Sequence, residues 1–155
     1  DFPEDLTGKK VAVVGGGAVG LDVVEFFADR HADISIIEMM DQIGRDLDPV
    51  TKNDTKTMMK KHDVKQLTKT ALLEVRDNSF LVKADEEPYE IPFDYGFVCL
   101  GMRAQGQLYQ DLLDSFSTEN VEILNIGDSQ RARRIIDGTQ EGRNILTTLT
   151  QKGYL

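Results

Sequence analysis

The stretch KVAVVGGGAVGLDVVEFFADRHADISIIE, Lys10 to Glu38, decides how this chain folds. Lys10 to Val14 is a short apolar run, rich in β-branched residues, that ends abruptly in three glycines, as a buried parallel strand does. Ala18 to Arg30 carries Val19, Val23, Phe26, Phe27 and Arg30 at helical spacing, with Asp22, Glu25 and Asp29 largely elsewhere. Ile34 to Ile37 is a second apolar run, closed by Glu38. Strand, glycine turn, helix and strand in this order make a βαβ unit, whose crossover is right-handed.

Downstream, Asp48 as N-cap and Pro49 at the first helical position open a second helix that runs to Lys61 or His62. Val64 to Leu67 is a weaker strand. Ala71 to Val75, Phe80 to Ala84 and Tyr89 to Ile91 read as three antiparallel strands, with Asp77-Asn78 turning between the first two. Phe93 to Leu100 returns to a buried strand pattern and ends at Gly101. Beyond it, Gln105 to Asp114 is a short helix and Ser115 to Asn120 a polar loop. Val121 to Ile126 reads as one more buried strand, ending in Gly127-Asp128, and Arg131 to Leu149 as a last helix that tolerates Gly138 and Gly142. The expected fold class is α/β: a Rossmann-type, three-layer parallel sheet with an inserted antiparallel β-meander.

Gly15, Gly17 and Gly20 fit Gly-x-Gly-x-x-Gly, with Ala18 and Val19 between the last two. The first glycine permits the tight turn, the second lets backbone approach a pyrophosphate, and the third lets helix pack on sheet. Amides at the positive end of the helix then hold the phosphates. A bare glycine pattern is weak, but here it follows a strand, opens a helix and is followed by an acid at the end of the next strand. That acid, Glu38, stands 18 positions after Gly20, where about 20 is expected. Its carboxylate suits the adenosine ribose hydroxyls and repels a 2′-phosphate, and Met39 and Met40 offer no arginine to neutralise one, so NAD(H) is favoured over NADP(H). The plain alternatives are a structural turn and a solvated strand-end glutamate.

Composition narrows the function classes. The 155 residues suit one domain, or one with a piece of another appended. The formal net charge of -9 makes nucleic acid a poor partner, and the one basic cluster, Arg131, Arg133 and Arg134, is too short to track a phosphate backbone. The single cysteine, Cys99, excludes disulfide scaffolds and Cys-rich zinc sites within the segment and fits a reducing, cytoplasmic setting. No apolar run is long enough for a membrane span, and no signal core follows a basic start. Asp1 to Lys10 reads as the interior of a longer chain, so the segment is expected to be a piece excised from one.

Gly8 to Glu38, the strand ending at Gly101, and Ile126-Gly127-Asp128 through Gly142 together resemble the pyridine nucleotide-disulfide oxidoreductase superfamily. More narrowly, they are similar to the carboxy-terminal part of the old yellow enzyme-related family of 2,4-dienoyl-CoA reductase, enoate reductase and trimethylamine dehydrogenase. The narrower resemblance implies a flavin-bearing barrel with FMN and an iron–sulfur cluster outside this chain, then an FAD domain interrupted by an NAD(P)H domain. It implies that residues 1–8 are a linker, 9–103 the NAD(H)-binding Rossmann domain and 104–155 a returning segment of the FAD domain. Asp128 would then approach the flavin's ribityl or pyrophosphate region, as half of an FAD site whose own glycine fingerprint lies upstream of Asp1. The fragment alone is expected not to hold FAD tightly. The family has Glu near the nicotinamide end where this chain has Asp22, one methylene shorter; a solvated helix residue is the alternative reading of Asp22. Its prolines after Gly101 and after Gly127-Asp128 are replaced by Ala104 and Ala132.

The cofactor-binding candidates are therefore Gly15, Gly17, Ala18, Val19, Gly20, Asp22, Glu38, Met39, Gly101, Gly127 and Asp128. No catalytic residue and no metal ligand is expected: the hydride chemistry belongs to the cofactors, and this segment binds and aims them. Cys99 reads as inert packing, His31 and His62 as helix-end residues, and Met39, Met40, Met58 and Met59 as adaptable packing at a domain interface. The leading expectation is the NADH-binding module of a flavin-dependent oxidoreductase, partnered by its dinucleotide and the remainder of the parent flavoprotein. The isolated chain is expected to be inactive. A non-catalytic ADP-binding structural domain is the alternative, and a simple NAD-dependent dehydrogenase a weaker one, since no acid–base residues for a substrate are evident. Assembly into a homo-oligomer stays open; Val121 to Ile126 is expected to join the NADH domain's sheet edge or pair with another copy.

Overall fold

Side chains alternate faces along a strand, so the unbroken apolar run at Lys10–Val14 demands cover on both sides. In the computed structural model, which describes residues 2–85, 87–118 and 121–154, it receives both. The elements run β1 (Lys10–Val14), α1 (Ala18–Ala28), β2 (Asp33–Ile37), α2 (Pro49–Lys61) and β3 (Lys65–Leu67). Then come β4 (Ala71–Val75), β5 (Ser79–Lys83), β6 (Tyr89–Pro92) and β7 (Tyr95–Val98), followed by α3 (Gln107–Ser115), α4 (Ile135–Arg143) and α5 (Ile145–Gln151). The chain divides into two compact units, Asp1–Gly101 and Met102–Leu155.

In the first unit a four-stranded sheet, order β3-β2-β1-β7, is parallel throughout, with Val13 opposite Ile36 and Val14 opposite Ile37. Val11, Val13, Ile34 and Ile36 face Leu21, Val24, Phe27 and Ala28 of α1 and Met59 of α2. From the opposite face Ala12, Val14 and Ile37 meet Phe80, Val82 and Ile91 of the antiparallel sheet β4-β5-β6. Helices, parallel sheet and meander are the three layers. Burying each large side chain such as Phe27 contributes roughly 1.5–3 kcal/mol.

Local signals explain the element ends. Asp48 caps α2, its carboxylate accepting the Val50 and Thr51 N–H groups at 3.1 Å each, with Pro49 next. Asp77-Asn78 turns β4 into β5, closed by the Arg76 N–H on the Ser79 carbonyl at 2.9 Å. β7 is shorter than the apolar run suggests. At its start the Phe93 N–H goes to Asn78, and the Asp94 carboxylate takes the Lys10 N–H at 2.8 Å and the Lys9 ammonium at 2.9 Å.

The second unit corrects two expectations. Val121 to Ile126 is not a strand: neither sheet contains it. Its unit otherwise offers helices, so its apolar residues are half-covered without a ladder. The last helix is not continuous over Arg131 to Leu149. Arg134 is extended and acts as N-cap, its N–H donating to the Asp137 carboxylate at 3.1 Å, and Asn144 divides α4 from α5.

Candidate functional site

β1 delivers the chain into Gly15, whose φ of +106° belongs to the left-handed region. A Cβ on Gly15 would lie 2.2 Å from the Cys99 carbonyl oxygen, and one on Gly20 would lie 1.9 Å from the Gly15 oxygen. Both positions exclude any side chain. Gly17 differs: it is exposed, its backbone is ordinary, and a Cβ there would meet nothing within 4 Å. It begins α1 with no side-chain cap, so Ala18 and Val19, both exposed, open a helix whose first amides face solvent without a side-chain acceptor. The turn is tight on its protein side and open on its outer side.

Glu38, at the end of β2, stands against this turn. Its Oε2 accepts the Gly16 N–H at 2.6 Å and its Oε1 accepts the Met40 N–H at 2.8 Å. Its own N–H donates to the Leu67 carbonyl at 2.8 Å, and its carbonyl accepts the Thr70 N–H at 2.9 Å. Main chain therefore fixes the residue from four directions, while each carboxylate oxygen keeps lone-pair capacity for a further donor. Among the described residues no lysine or arginine pairs with Glu38, so its charge is not neutralised by a cation.

The other candidates disperse. Met39 beside Glu38 is 67% exposed. Asp22 lies on α1 facing α2, where it helps to line a cavity of about 220 Å³ with Glu25, Leu47 and Thr51. Gly101, with φ +80°, ends the first unit two residues after Cys99, whose N–H still bonds the Val14 carbonyl at 2.7 Å. Burial pushes the Cys99 thiol up, keeping it protonated. Gly127 and Asp128 belong to the second unit. There the Gly127 N–H is held by the Glu141 carboxylate at 2.6 Å, and Asp128 Oδ1 accepts the Arg133 N–H at 3.2 Å. The Glu141 carboxyl sits below its ordinary range because of the Gly127 N–H and the Arg133 guanidinium.

A sequence profile described as pyridine nucleotide-disulphide oxidoreductase matches residues 1–124. The chain belongs to that family. Proteins similar to it include a metal reductase of Desulforamulus reducens, 29% identical over 88% of this chain and 24% of the relative. A bilirubin reductase of Mediterraneibacter gnavus is 28% identical over 90% of this chain and 21% of the relative. An NADH oxidase of Thermoanaerobacter brockii is 23% identical over 86% and 20%. The chain thus spans about a fifth to a quarter of the length of these oxidoreductases. Histamine dehydrogenase from Rhizobium sp. 4-9 shares the fold at TM-score 0.65 and 16% identity, over 93% of this chain and 24% of that one. NDH2 of Plasmodium falciparum, solved in complex with NADH, matches at TM-score 0.57 and 25% identity, over 76% of this chain and 27% of that one.

For a pyridine nucleotide-disulphide oxidoreductase, the turn fits a dinucleotide on three observations. These are open space at Gly17, an uncapped helix start, and an unneutralised carboxylate beside them. The second unit supplies only a partial fit to FAD: the Gly127 N–H is already taken and one Asp128 oxygen is engaged. Sequence reasoning missed Gly16, Ile43 and Gly44. Gly16 carries the hydrogen bond to Glu38, and the Gly44 N–H bonds the Gly16 carbonyl at 2.7 Å. The signal available was the extra glycine inside the fingerprint and the isolated Ile43-Gly44 pair in a polar loop. It missed Glu141 and the role of Gly138 too: a Cβ on Gly138 would lie 3.4 Å from the Gly127 Cα, so this helix glycine admits the Gly-Asp turn. Among the described residues no helix is long and apolar enough to cross a membrane, and no metal-ligating cluster occurs.

Proposed function

We propose that this chain is the NADH-binding module of a larger flavin-dependent oxidoreductase, of the NADH:flavin, enoate or dienoyl-CoA reductase type. The observation that carries the reading is the pinning of Glu38 to the Gly16 N–H at 2.6 Å, next to an open Gly17 and an uncapped α1. Gly17, Ala18 and Val19 would present backbone amides to the pyrophosphate, with the helix dipole adding to the attraction. Glu38 would accept the adenosine ribose hydroxyls and oppose a 2′-phosphate, and Met39 would border the same ribose. Gly101 would line the far side of the turn, and Gly127 and Asp128 would contribute half of an FAD site. Asp22 is offered as a neighbour of the nicotinamide end. The chemistry supplied by the bound nucleotide is hydride delivery to FAD.

On this reading the remainder of the parent flavoprotein provides the rest of the FAD site, with FMN and an iron–sulfur cluster outside this chain. Residues 1–8 act as linker, 9–103 as the NAD(H) domain and 104–155 as the returning FAD segment, in a cytoplasmic protein. Calorimetric titration of the 155-residue chain with NADH and with NADPH tests the central part. NADH is expected to bind more tightly; clearly tighter NADPH binding overturns the role of Glu38. Mixing NADH with the full-length flavoprotein separates delivery from a structural ADP site, because a structural site leaves the flavin oxidised.

A further inference from the structure

The Gly16 residue is held from two sides at once. Its N–H donates to Glu38 Oε2 at 2.6 Å, and its carbonyl accepts the Gly44 N–H at 2.7 Å. A Cβ on Gly16 would lie 3.1 Å from Glu38 Oε2 and 3.2 Å from Ile43, so carboxylate and isoleucine together fill the space beside this glycine. Ile43 is 8% exposed, and Gly44 is buried with φ +65°. The loop after β2 therefore leaves Glu38, folds back over the glycine turn and closes a ring through Gly16 to Glu38 again.

We infer that Gly44 and Ile43 are positioning residues that set the nucleotide preference of the Glu38 site, acting through Gly16; this rests on Glu38 being the ribose acceptor. A carboxylate discriminates a 2′-hydroxyl from a 2′-phosphate only if it is already aimed when the nucleotide arrives. Gly44 fixes the Gly16 carbonyl, on one side of that residue's Cα, and the Gly16 N–H, on the other side, fixes one oxygen of Glu38. Neither Gly44 nor Ile43 needs to touch the nucleotide.

The test is calorimetry of the 155-residue chain with NADH and NADPH, for the wild type, Gly44→Val, Gly44→Asn and Ile43→Ala. Valine strongly resists a positive φ and would swing the N–H away from Gly16, whereas asparagine tolerates it. The added Cβ would meet the far end of the Leu47 side chain at 2.9 Å, which can yield. The NADH-to-NADPH affinity ratio is expected to fall about tenfold in Gly44→Val and about threefold in Ile43→Ala, and to stay within about twofold of wild type in Gly44→Asn. A merely structural loop would weaken both nucleotides equally. An unchanged ratio in Gly44→Val overturns the inference while leaving NADH binding intact. If that variant does not fold, an unchanged ratio in Ile43→Ala overturns it instead. A wild-type chain that binds neither nucleotide removes both the inference and the function beneath it.

Discussion

Gly16 and Glu38, 22 residues apart, are joined by a 2.6 Å hydrogen bond from backbone N–H to carboxylate. The bond ties the glycine turn after β1 to the end of β2, and so joins the two parts proposed above to meet phosphate and sugar. A substitution in either part should be read out in the other.

Gly17→Ala separates binding from folding. The position has an ordinary backbone and no atom within 4 Å of an added methyl group. Stability should change by less than about 1 kcal/mol, while NADH affinity falls about tenfold or more because the methyl occupies the pyrophosphate's approach. Thermal melting and calorimetry on one preparation check both halves; undiminished NADH binding would remove Gly17 from the site.

Gly20→Ala should do the reverse. Its Cβ would sit 1.9 Å from the Gly15 carbonyl oxygen, which is main chain and cannot move aside cheaply. A loss of about 3 kcal/mol or more in urea unfolding is expected, since α1 must be pushed off the sheet. A near-neutral result would mean that helix and strand are not in this contact.

Exchanging the charge beside the turn should invert the nucleotide preference. Met39 is 67% exposed next to Glu38, so Glu38→Ala with Met39→Arg removes the acid and adds a phosphate-binding fork. NADPH affinity is expected to rise about tenfold and NADH affinity to fall. Titration with both nucleotides decides; unchanged preference contradicts the ribose assignment.

Acid should weaken the junction of β1 and β7. The Lys10 N–H and the Lys9 ammonium hold the Asp94 carboxyl below its ordinary value of 3.8. A carboxyl lowered in the folded state adds stability above its unfolded value, and that stability is lost as pH falls through the folded one. Asp94→Asn should therefore flatten the dependence of the urea midpoint on pH below 3.8. Parallel curves for the two proteins would contradict the clamp.

The first unit was legible because its signals are local and agree. β-branched runs, a glycine turn, a proline-opened helix and an Asp-Asn turn each dictate one element, and their order dictates the α/β layering. The glycine turn at Gly15 and Gly20 and the place of Glu38 at the end of β2 were legible for the same reason. Gly16 and Gly44 were not, because what makes them matter is a long-range hydrogen bond between two backbones, which leaves no periodicity. Val121 to Ile126 was misread because an apolar run makes a strand only beside another strand, and neither sheet takes it in: Val121 stays 52% exposed. Arg131 to Leu149 was read as one helix because the helical spacing on either side of Asn144 is sound, while the late start at Arg134 and the break at Asn144 (φ −92°, ψ 8°) are backbone turns that spacing does not register.

The most direct measurement is the amide NMR spectrum of the 155-residue chain during an NADH titration. The largest shifts are expected at Gly16 to Gly20 and at Glu38 to Met40, saturating together. Saturable shifts confined to other residues, with those amides unmoved, would contradict the account.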